Sequence, residues 1–238
     1  PKHSKKGIKF MKFLIIRHGE PNYEIDSLTE KGKVEAALLG KKLDNTKLDD
    51  VYVSPLGRAK LTAEIALKNK NVVKNEREWL REFCYLWDIM PSEYEKSKEL
   101  CEGKNWLKET PFADAEVSAR YEALCKGLDE ILFKHGYKKN GALYEAFAPS
   151  YDTVALFCHY GAECVILSYL LNVSPYIFFQ SFCALPTSVT TLVTEEREKG
   201  KAIFRLLSFG DLSHLYAGNE EPSFSARFAE VYGNGDRV

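Results

Sequence analysis

The sequence lacks the cysteine patterns that mark zinc-binding or disulfide-rich proteins. Its six cysteines, at positions 84, 101, 125, 158, 164 and 183, form no CxxC pair and have no zinc-ligand spacing. Most have apolar neighbours, so we interpret them as reduced thiols of a cytosolic protein. The 238 residues also contain no Gly/Ser/Pro-rich linker, low-complexity tract or internal repeat, and we therefore expect one domain spanning residues 1–238.

The sequence also has no excess of either charge. With 33 basic and 34 acidic residues its formal net charge is -1, which argues against nucleic acid or an anionic membrane as a partner. The apolar run after the basic N-terminus ends before Arg17 and is too short for a signal peptide or a membrane span, so a cytoplasmic location is expected. Met11 resembles a natural start, and residues 1–10 are interpreted as an extension or a cloning remnant. The sequence is compatible with a homodimer.

Short apolar runs alternate with helix-length segments along the chain. This alternation predicts an α/β fold, namely a three-layer α/β/α sandwich with a mostly parallel central sheet and a cap formed by insertions at the strand carboxyl ends. The predicted strands are Phe13–Ile16, Asp50–Ser54, Val72–Val73, Val154–Cys158, Ser188–Val193 and Ile203–Leu207.

Three segments predict helices that follow strands. The first opens at Leu28–Gly32 with Thr29 as the expected N-cap. The second is expected to have Ser54 at the N-cap and Pro55 at its first helical position. The third is predicted over Gly161–Leu171, directly after the strand that ends at Cys158.

The motif Arg17-His18-Gly19-Glu20 directly follows the first apolar strand. Open α/β sheets bind their ligands at the carboxyl ends of the strands. Arginine can grip a phosphate by two parallel hydrogen bonds, and a neutral histidine can attack phosphorus. The motif alone is a weak signal, because a single histidine at a strand end is more often a structural residue.

Two further basic positions recur at strand ends. Arg58 lies near the start of the second helix, where a phosphate would be favoured, although a solvent-exposed helical arginine is the alternative. His159-Tyr160-Gly161 repeats the strand, histidine, glycine and helix order of the first motif. Parallel strands would bring these side chains into one crevice, which predicts a phosphate site.

These motifs resemble the histidine phosphatase superfamily, in its phosphoglycerate-mutase-like branch (branch 1). The resemblance extends over about Met11 to Leu215, and the tail 216–238 lies outside it. The segments that carry it are Arg17-His18-Gly19, Leu28-Thr29-Glu30-Lys31-Gly32, Ser54-Pro55-Leu56-Gly57-Arg58-Ala59 with Thr62-Ala63, Glu82, His159-Tyr160-Gly161 and Ser188-Val189-Thr190.

The resemblance implies a catalytic role for five residues. His18 would be the nucleophile that forms a phosphohistidine, and Arg17, Arg58 and His159 would hold the phosphoryl oxygens. Glu82, flanked by aromatic and aliphatic residues, would protonate the leaving group. The alternative for Glu82 is a surface salt bridge with Arg77 or Arg81, and Glu78 and Asp88 compete with it as the acid.

The resemblance implies a metal-independent phosphomonoesterase that hydrolyses a small phosphorylated metabolite through a phosphohistidine. The alternatives are a phosphoglycerate mutase-type isomerase and a non-catalytic phosphate-binding protein. No HExxH motif, P-loop or aspartate cluster is present, so neither a metal nor another cofactor is expected. Asn22 and Tyr160 are candidate substrate contacts, while Pro21 and Glu24 depart from the family pattern and leave the substrate open.

Two segments read as insertions near the site. Residues 83–112 are expected to form a cap, and all three tryptophans lie between positions 79 and 106. These aromatics would either stack on a ring-bearing substrate or form a small satellite core. Residues 138–151, which contain Gly141 and Pro149, are expected to form a loop close to the site.

Overall fold

A computed structural model describes residues 10–83, 106–108 and 114–223. Its main feature is an eight-stranded sheet of order β5-β4-β8-β1-β9-β10-β7-β6, and β2 and β3 form a separate two-stranded ribbon. The strands are β1 (Lys12–Arg17), β2 (Pro21–Asn22), β3 (Ser27–Leu28), β4 (Asp50–Val53), β5 (Lys74–Glu76), β6 (Tyr137–Asn140), β7 (Leu143–Ala146), β8 (Thr153–Cys158), β9 (Val189–Glu198) and β10 (Lys201–Asp211).

Helices cover both faces of this sheet. Their bounds are α1 (Glu30–Leu43), α2 (Gly57–Ala66), α3 (Ala115–Lys134), α4 (Tyr160–Leu171), α5 (Pro175–Ser181) and α6 (Ser213–Ala217), with single 3-10 turns at Glu78–Leu80 and Trp106–Lys108. One apolar cluster joins the sheet to α1 and α2, and a second joins it to α3, α4 and α5. The predicted three-layer α/β/α sandwich is confirmed.

The strand directions divide the sheet into two halves. Strands β5, β4, β8 and β1 pair in parallel, whereas β9, β10, β7 and β6 each run antiparallel to their neighbours. Because direction alternates in the second half, six of the eight strands point the same way. The sheet is therefore mixed, and the carboxyl ends of its four parallel strands lie side by side.

The packing of β1 on both of its faces explains why its apolar run ends abruptly at Ile16. Phe13 and Ile15 pack into the cluster under α3 and α4, and Leu14 and Ile16 pack into the cluster under α1 and α2. A strand with helices on both faces needs apolar residues at consecutive positions rather than alternate ones. The first polar residue, Arg17, therefore marks the edge of both cores.

Two local predictions need correction. Helix α2 begins at Gly57 with Leu56 as its N-cap, so Ser54 and Pro55 precede the helix rather than starting it. The hydroxyl of Ser54 has a different partner, described below. The weak strand predicted at Val72–Val73 is also wrong, because pairing with β4 places the strand at Lys74–Glu76.

Residues 138–151 do not form the predicted loop near the site. Strands β6 and β7 pair as a hairpin around Gly141, and this hairpin extends the sheet edge beyond β10, separated from β1 by the two strands β9 and β10. Tyr137, Tyr144 and Ala146 are buried while their neighbours along the strands are more exposed. The hairpin was missed because only one residue of β6 is apolar.

The predicted cap, residues 83–112, is described only at Phe83 and Trp106–Lys108. Trp106 is buried in the main core, with its ring edge-on to Tyr121 at 5.1 Å between centroids. The rest of this segment, and most of the tail 216–238, lie outside the described residues. Among the helices that the structure describes, none has the length and apolar character needed to cross a bilayer.

Candidate active site

The five predicted catalytic residues come together at the carboxyl ends of the parallel strands. Arg17 and Cys158 are the last paired residues of β1 and β8, so His18 and His159 follow side by side, with ring centroids 5.1 Å apart. Arg58 occupies the first turn of α2, beyond β4. Glu82 follows the 3-10 turn beyond β5. Neighbouring strand ends thus assemble residues that are up to 142 positions apart in the sequence.

The ring of His18 has a defined orientation. Its Nδ1 lies 2.8 Å from the carbonyl oxygen of Gly19, and a carbonyl can only accept. Nδ1 therefore carries the proton in the neutral ring, which leaves the lone pair on Nε2. The side chain is buried, and burial together with the charges of Arg17 and Arg58 holds the pKa of His18 well below its usual value.

The loop that carries His18 is held by close backbone packing. The amide of Gly19 donates to the hydroxyl of Thr62 on α2 at 3.0 Å. A Cβ on Gly19 would lie only 2.7 Å from the carbonyl oxygen of Gly32, so this position must lack a side chain. Thr29 caps α1 as predicted, because its hydroxyl accepts from the amide of Gly32 at 3.0 Å.

His159 is fully buried and bonded to Ser54. Its Nε2 lies 2.7 Å from the hydroxyl oxygen of Ser54, whereas its Nδ1 has no hydrogen-bond partner among the described residues. The pKa of His159 is held well below its usual value by burial and by the neighbouring His18, Arg58 and Arg17. Two neutral imidazoles therefore lie beside two guanidinium groups.

Both arginines are almost fully buried. Arg17 donates from Nη1 to the carbonyl of Ala184, and its guanidinium carbon lies 5.7 Å from the ring centroid of Tyr160. Arg58 donates from Nη1 to Oδ1 of Asp26 at 2.6 Å. Arg58 is therefore not the exposed helical arginine of the alternative interpretation. Buried guanidinium groups at adjacent strand ends create a site for an anion.

Glu82 is held by backbone amides rather than by a charged partner. Its Oε1 accepts from the amides of Phe83 and Gly161, both at 2.9 Å. A Cβ on Gly161 would lie 2.7 Å from this oxygen, so glycine permits the contact. Burial raises the pKa of Glu82, although Arg17 and the two amides oppose the shift. This environment favours a carboxylic acid that can donate a proton.

The two arginines that were the alternative salt-bridge partners of Glu82 have other contacts. Arg81 pairs with Glu78 at 3.3 Å, and both side chains are exposed. The guanidinium carbon of Arg77 lies 5.3 Å from the ring centroid of Tyr52. The predicted competitor Asp88 lies outside the described residues. Of the acids compared within the described part of the chain, Glu82 is therefore the one placed with the histidines.

The two predicted substrate contacts have structural partners. Tyr160 is 1% exposed, and its hydroxyl donates to the carbonyl of Phe178 at 2.9 Å, so this hydroxyl does not face the site. Asn22 accepts the amide of Glu24 at 3.1 Å through its side-chain oxygen, within its own turn. Both side chains therefore form hydrogen bonds that hold the backbone of neighbouring segments.

Three residues near the site carry contacts that the sequence did not predict. Ser54 binds His159, Asp26 binds Arg58, and Glu163 is buried in α4 close to Arg17 and Glu82. Burial raises the pKa of Glu163 to about 7. Glu163 was detectable as a single carboxylate within an apolar helix, but the sequence does not show that the loop of Asp26 reaches α2.

The site also offers a set of metal-ligand atoms. One atom each from His18, Glu82 and His159 lies within 4.8 Å of the others, and two imidazoles with a carboxylate are suitable zinc ligands. The positive charges of Arg17 and Arg58 oppose a cation at this position, whereas they favour an anion. The electrostatics of the cleft are therefore better matched to phosphate.

Sequence comparison identifies the family. The family model of the histidine phosphatase superfamily (branch 1) matches residues 13–204, and the chain belongs to this superfamily. A curated relative, phosphoserine phosphatase 1 of Hydrogenobacter thermophilus, is 33% identical over 141 residues. The match covers 52% of this chain and 66% of the relative, slightly less than two thirds of its length.

Solved structures share the fold at lower identity. A phosphoglycerate mutase from Bacillus anthracis is 21% identical with a TM-score of 0.62, and the match covers 89% of this chain and 98% of the mutase. A phosphoserine phosphatase mutant from Entamoeba histolytica, in complex with phosphoserine, is 21% identical with a TM-score of 0.60, covering 86% and 99% of the two chains. Both similarities concern the fold.

Proposed function

We propose that the protein is a phosphomonoesterase that hydrolyses a small phosphorylated metabolite through a phosphohistidine at His18. The observation that carries the proposal is the orientation of His18, which directs its proton to Gly19 and keeps its Nε2 lone pair available beside two buried guanidinium groups. Family membership and a relative named as a phosphatase support the same reaction class.

In the first step, Nε2 of His18 attacks phosphorus and the bond between phosphorus and the ester oxygen breaks. Glu82 gives its proton to that oxygen, and the dephosphorylated part of the substrate leaves as an alcohol. Arg17, Arg58 and the ring of His159 stabilise the charge on the other phosphoryl oxygens. His18 then carries the phosphoryl group, and Glu82 is ionised.

In the second step, a water molecule attacks phosphorus and the bond from phosphorus to Nε2 breaks. Glu82 accepts a proton from the water, so the enzyme returns to its starting protonation state and inorganic phosphate is released. The same carboxyl thus acts as acid and then as base. No step in this sequence requires an electron donor or an additional co-reactant.

The shifted pKa values favour this reaction because it needs a neutral histidine and a protonated glutamate together. At the ordinary values of 6.5 and 4.5, this combination would be populated in only about 1% of molecules even at the best pH. Lowering the pKa of His18 and raising that of Glu82 increases this population. Burial contributes to both shifts, which makes the closed environment of the strand ends part of the catalytic machinery.

The names of the relatives support a substrate class for this proposal. These names refer to phosphoserine and phosphoglycerate. We therefore propose small phosphate esters of this kind, starting with O-phosphoserine and 3-phosphoglycerate.

The test is phosphate release from phenyl phosphate in buffer that contains a metal chelator. We expect full activity in chelator, with loss in H18N and retention in H135Q, a substitution at a buried histidine outside the site. Loss of wild-type turnover on chelation would reject the metal-free route. Interconversion of 2- and 3-phosphoglycerate with a bisphosphate primer, faster than phosphate release, would instead assign a mutase.

A further inference from the structure

Asp26 lies at the tip of the ribbon formed by β2 and β3, where it contacts α2. Its Oδ1 accepts from Nη1 of Arg58 and its Oδ2 accepts from the amide of Gly57, both at 2.6 Å. One carboxylate therefore binds a guanidinium of the phosphate site and the first amide of the adjacent helix. The N-cap residue Leu56 provides no side-chain hydrogen bond, so Asp26 caps this helix from a distant loop.

The backbone of Asp26 is adapted to this contact. Its φ is +46°, a left-handed conformation that aspartate and asparagine tolerate better than most residues. Tyr23 lies in the same turn, and the guanidinium carbon of Arg58 is 5.3 Å from its ring centroid. The Tyr23–Asp26 turn therefore contacts Arg58 through both an aromatic face and a carboxylate.

Asp26 binds only one nitrogen of the Arg58 guanidinium. Its Nε is buried without a hydrogen-bond partner among the described residues. Although burial acts to raise it, bonds from Gly57 and Arg58 hold the pKa of Asp26 below its usual value, so the carboxylate is charged at neutral pH. Asp26 thus fixes one guanidinium nitrogen and also places a negative charge next to the anion site.

We propose that Asp26 is a positioning residue that acts through Arg58. It orients the Arg58 guanidinium toward the phosphoryl group in the transition state, and its negative charge weakens the binding of free phosphate. Orientation is worth most in the transition state, where a misplaced group slows the reaction strongly. Charge repulsion acts on bound product as well, and favours its release. The inference rests on the proposed function, because it gives Arg58 a role in phosphoryl transfer.

The experiment compares D26N with the wild type. Asparagine tolerates the positive φ and keeps one neutral acceptor oxygen, whereas the charge and the second acceptor are lost because its amide nitrogen can only donate. We expect kcat to fall about tenfold and the Ki of inorganic phosphate to fall about threefold. D26G, which also removes the acceptor, should lower kcat further with a similar gain in phosphate affinity. A merely structural role would weaken catalysis and phosphate binding together.

The matched control is D49N. Asp49 also accepts a backbone amide, from Thr153 at 2.9 Å, and pairs with Lys47, but it precedes β4 at the opposite end of the sheet. Its substitution should leave kcat and the Ki of phosphate unchanged. If D26N loses phosphate affinity, or changes neither quantity, the inference is overturned.

Phosphate binding by titration calorimetry separates this inference from the proposed function. If the wild type hydrolyses no phosphate ester, the proposed function fails, and tighter phosphate binding by D26N still supports the charge effect of Asp26. If the wild type hydrolyses esters and D26N behaves identically, only the role of Asp26 is rejected.

Discussion

Buried histidines lie at both ends of the parallel strands β1, β4 and β8, and the two environments differ. At the carboxyl ends, His18 and His159 lie beside two arginines, and each pKa is held low. At the amino ends, Nε2 of His135 lies 2.9 Å from Asp50 and its Nδ1 lies 3.0 Å from Asp152. His135 thus has a carboxylate at each ring nitrogen.

This comparison shows which buried imidazoles are available for chemistry. Both nitrogens of His135 are occupied by groups that hold the ends of α3, β4 and β8 together, and Lys134 adds a contact to Asp50 at 2.6 Å. His18 instead keeps Nε2 for a reacting group. A satisfied histidine stabilises the fold, whereas an oriented and incompletely satisfied one can react.

The largest expected effect is at His18. H18A removes the proposed nucleophile, so the phosphatase kcat should fall at least about 10⁴-fold. Its free energy of unfolding should change much less than the buried position suggests, because a desolvated imidazole beside two arginines stabilises the fold little. Steady-state kinetics and urea denaturation measure the two quantities. A variant that retained wild-type turnover would remove the distinction between the two ends.

The next effect concerns Glu82 and pH. E82Q keeps the shape of the side chain but cannot donate the proton, so kcat should fall about 10²- to 10³-fold for a poor leaving group such as serine. The loss should be smaller for p-nitrophenyl phosphate, whose leaving group needs less protonation. The wild-type profile of kcat/KM should have its acid limb below pH 6.5, since the pKa of His18 is lowered, and E82Q should lack the alkaline limb. Equal losses for both leaving groups would exclude Glu82 as the acid.

His135 should show the reverse pattern to His18. H135A leaves two buried or half-buried carboxylates without their shared partner, so unfolding free energy should decrease by about 2–3 kcal/mol. The kcat of the folded variant should remain near the wild-type value. Chemical denaturation and activity at a temperature below the transition test both halves of this expectation. A large loss of kcat without a loss of stability would contradict it.

The smallest effect is expected at Asn22. N22A removes the side-chain acceptor of the Glu24 amide, a bond at the edge of the turn that carries Tyr23 and Asp26. Because this bond is exposed, KM should rise by no more than about threefold, with kcat nearly unchanged. A loss of kcat comparable to that of E82Q would show that Asn22 contacts the phosphoryl group directly.

The sequence predicted the strand ends better than the contacts between distant loops. The apolar run before Arg17 defines a strand buried on both faces, and the repeated order of strand, histidine, glycine and helix defines the second histidine, so the positions of His18 and His159 followed from local signals. Predicting Glu82 as a residue of the site required the family resemblance as well. The role of Asp26 was missed because its partners Gly57 and Arg58 are distant in the sequence, and the β6–β7 hairpin was missed because only one residue of β6 is apolar.

The central claim, that His18 is the attacking group, is tested most directly by trapping the intermediate. Wild-type protein and H18N are mixed with substrate in chelator, quenched rapidly at alkaline pH, and analysed by intact and peptide mass spectrometry. The account predicts one added phosphoryl group on His18 of the wild type and none on H18N. Turnover by the wild type with the phosphoryl group on another residue, or with none trapped under conditions that preserve phosphohistidine, would contradict it.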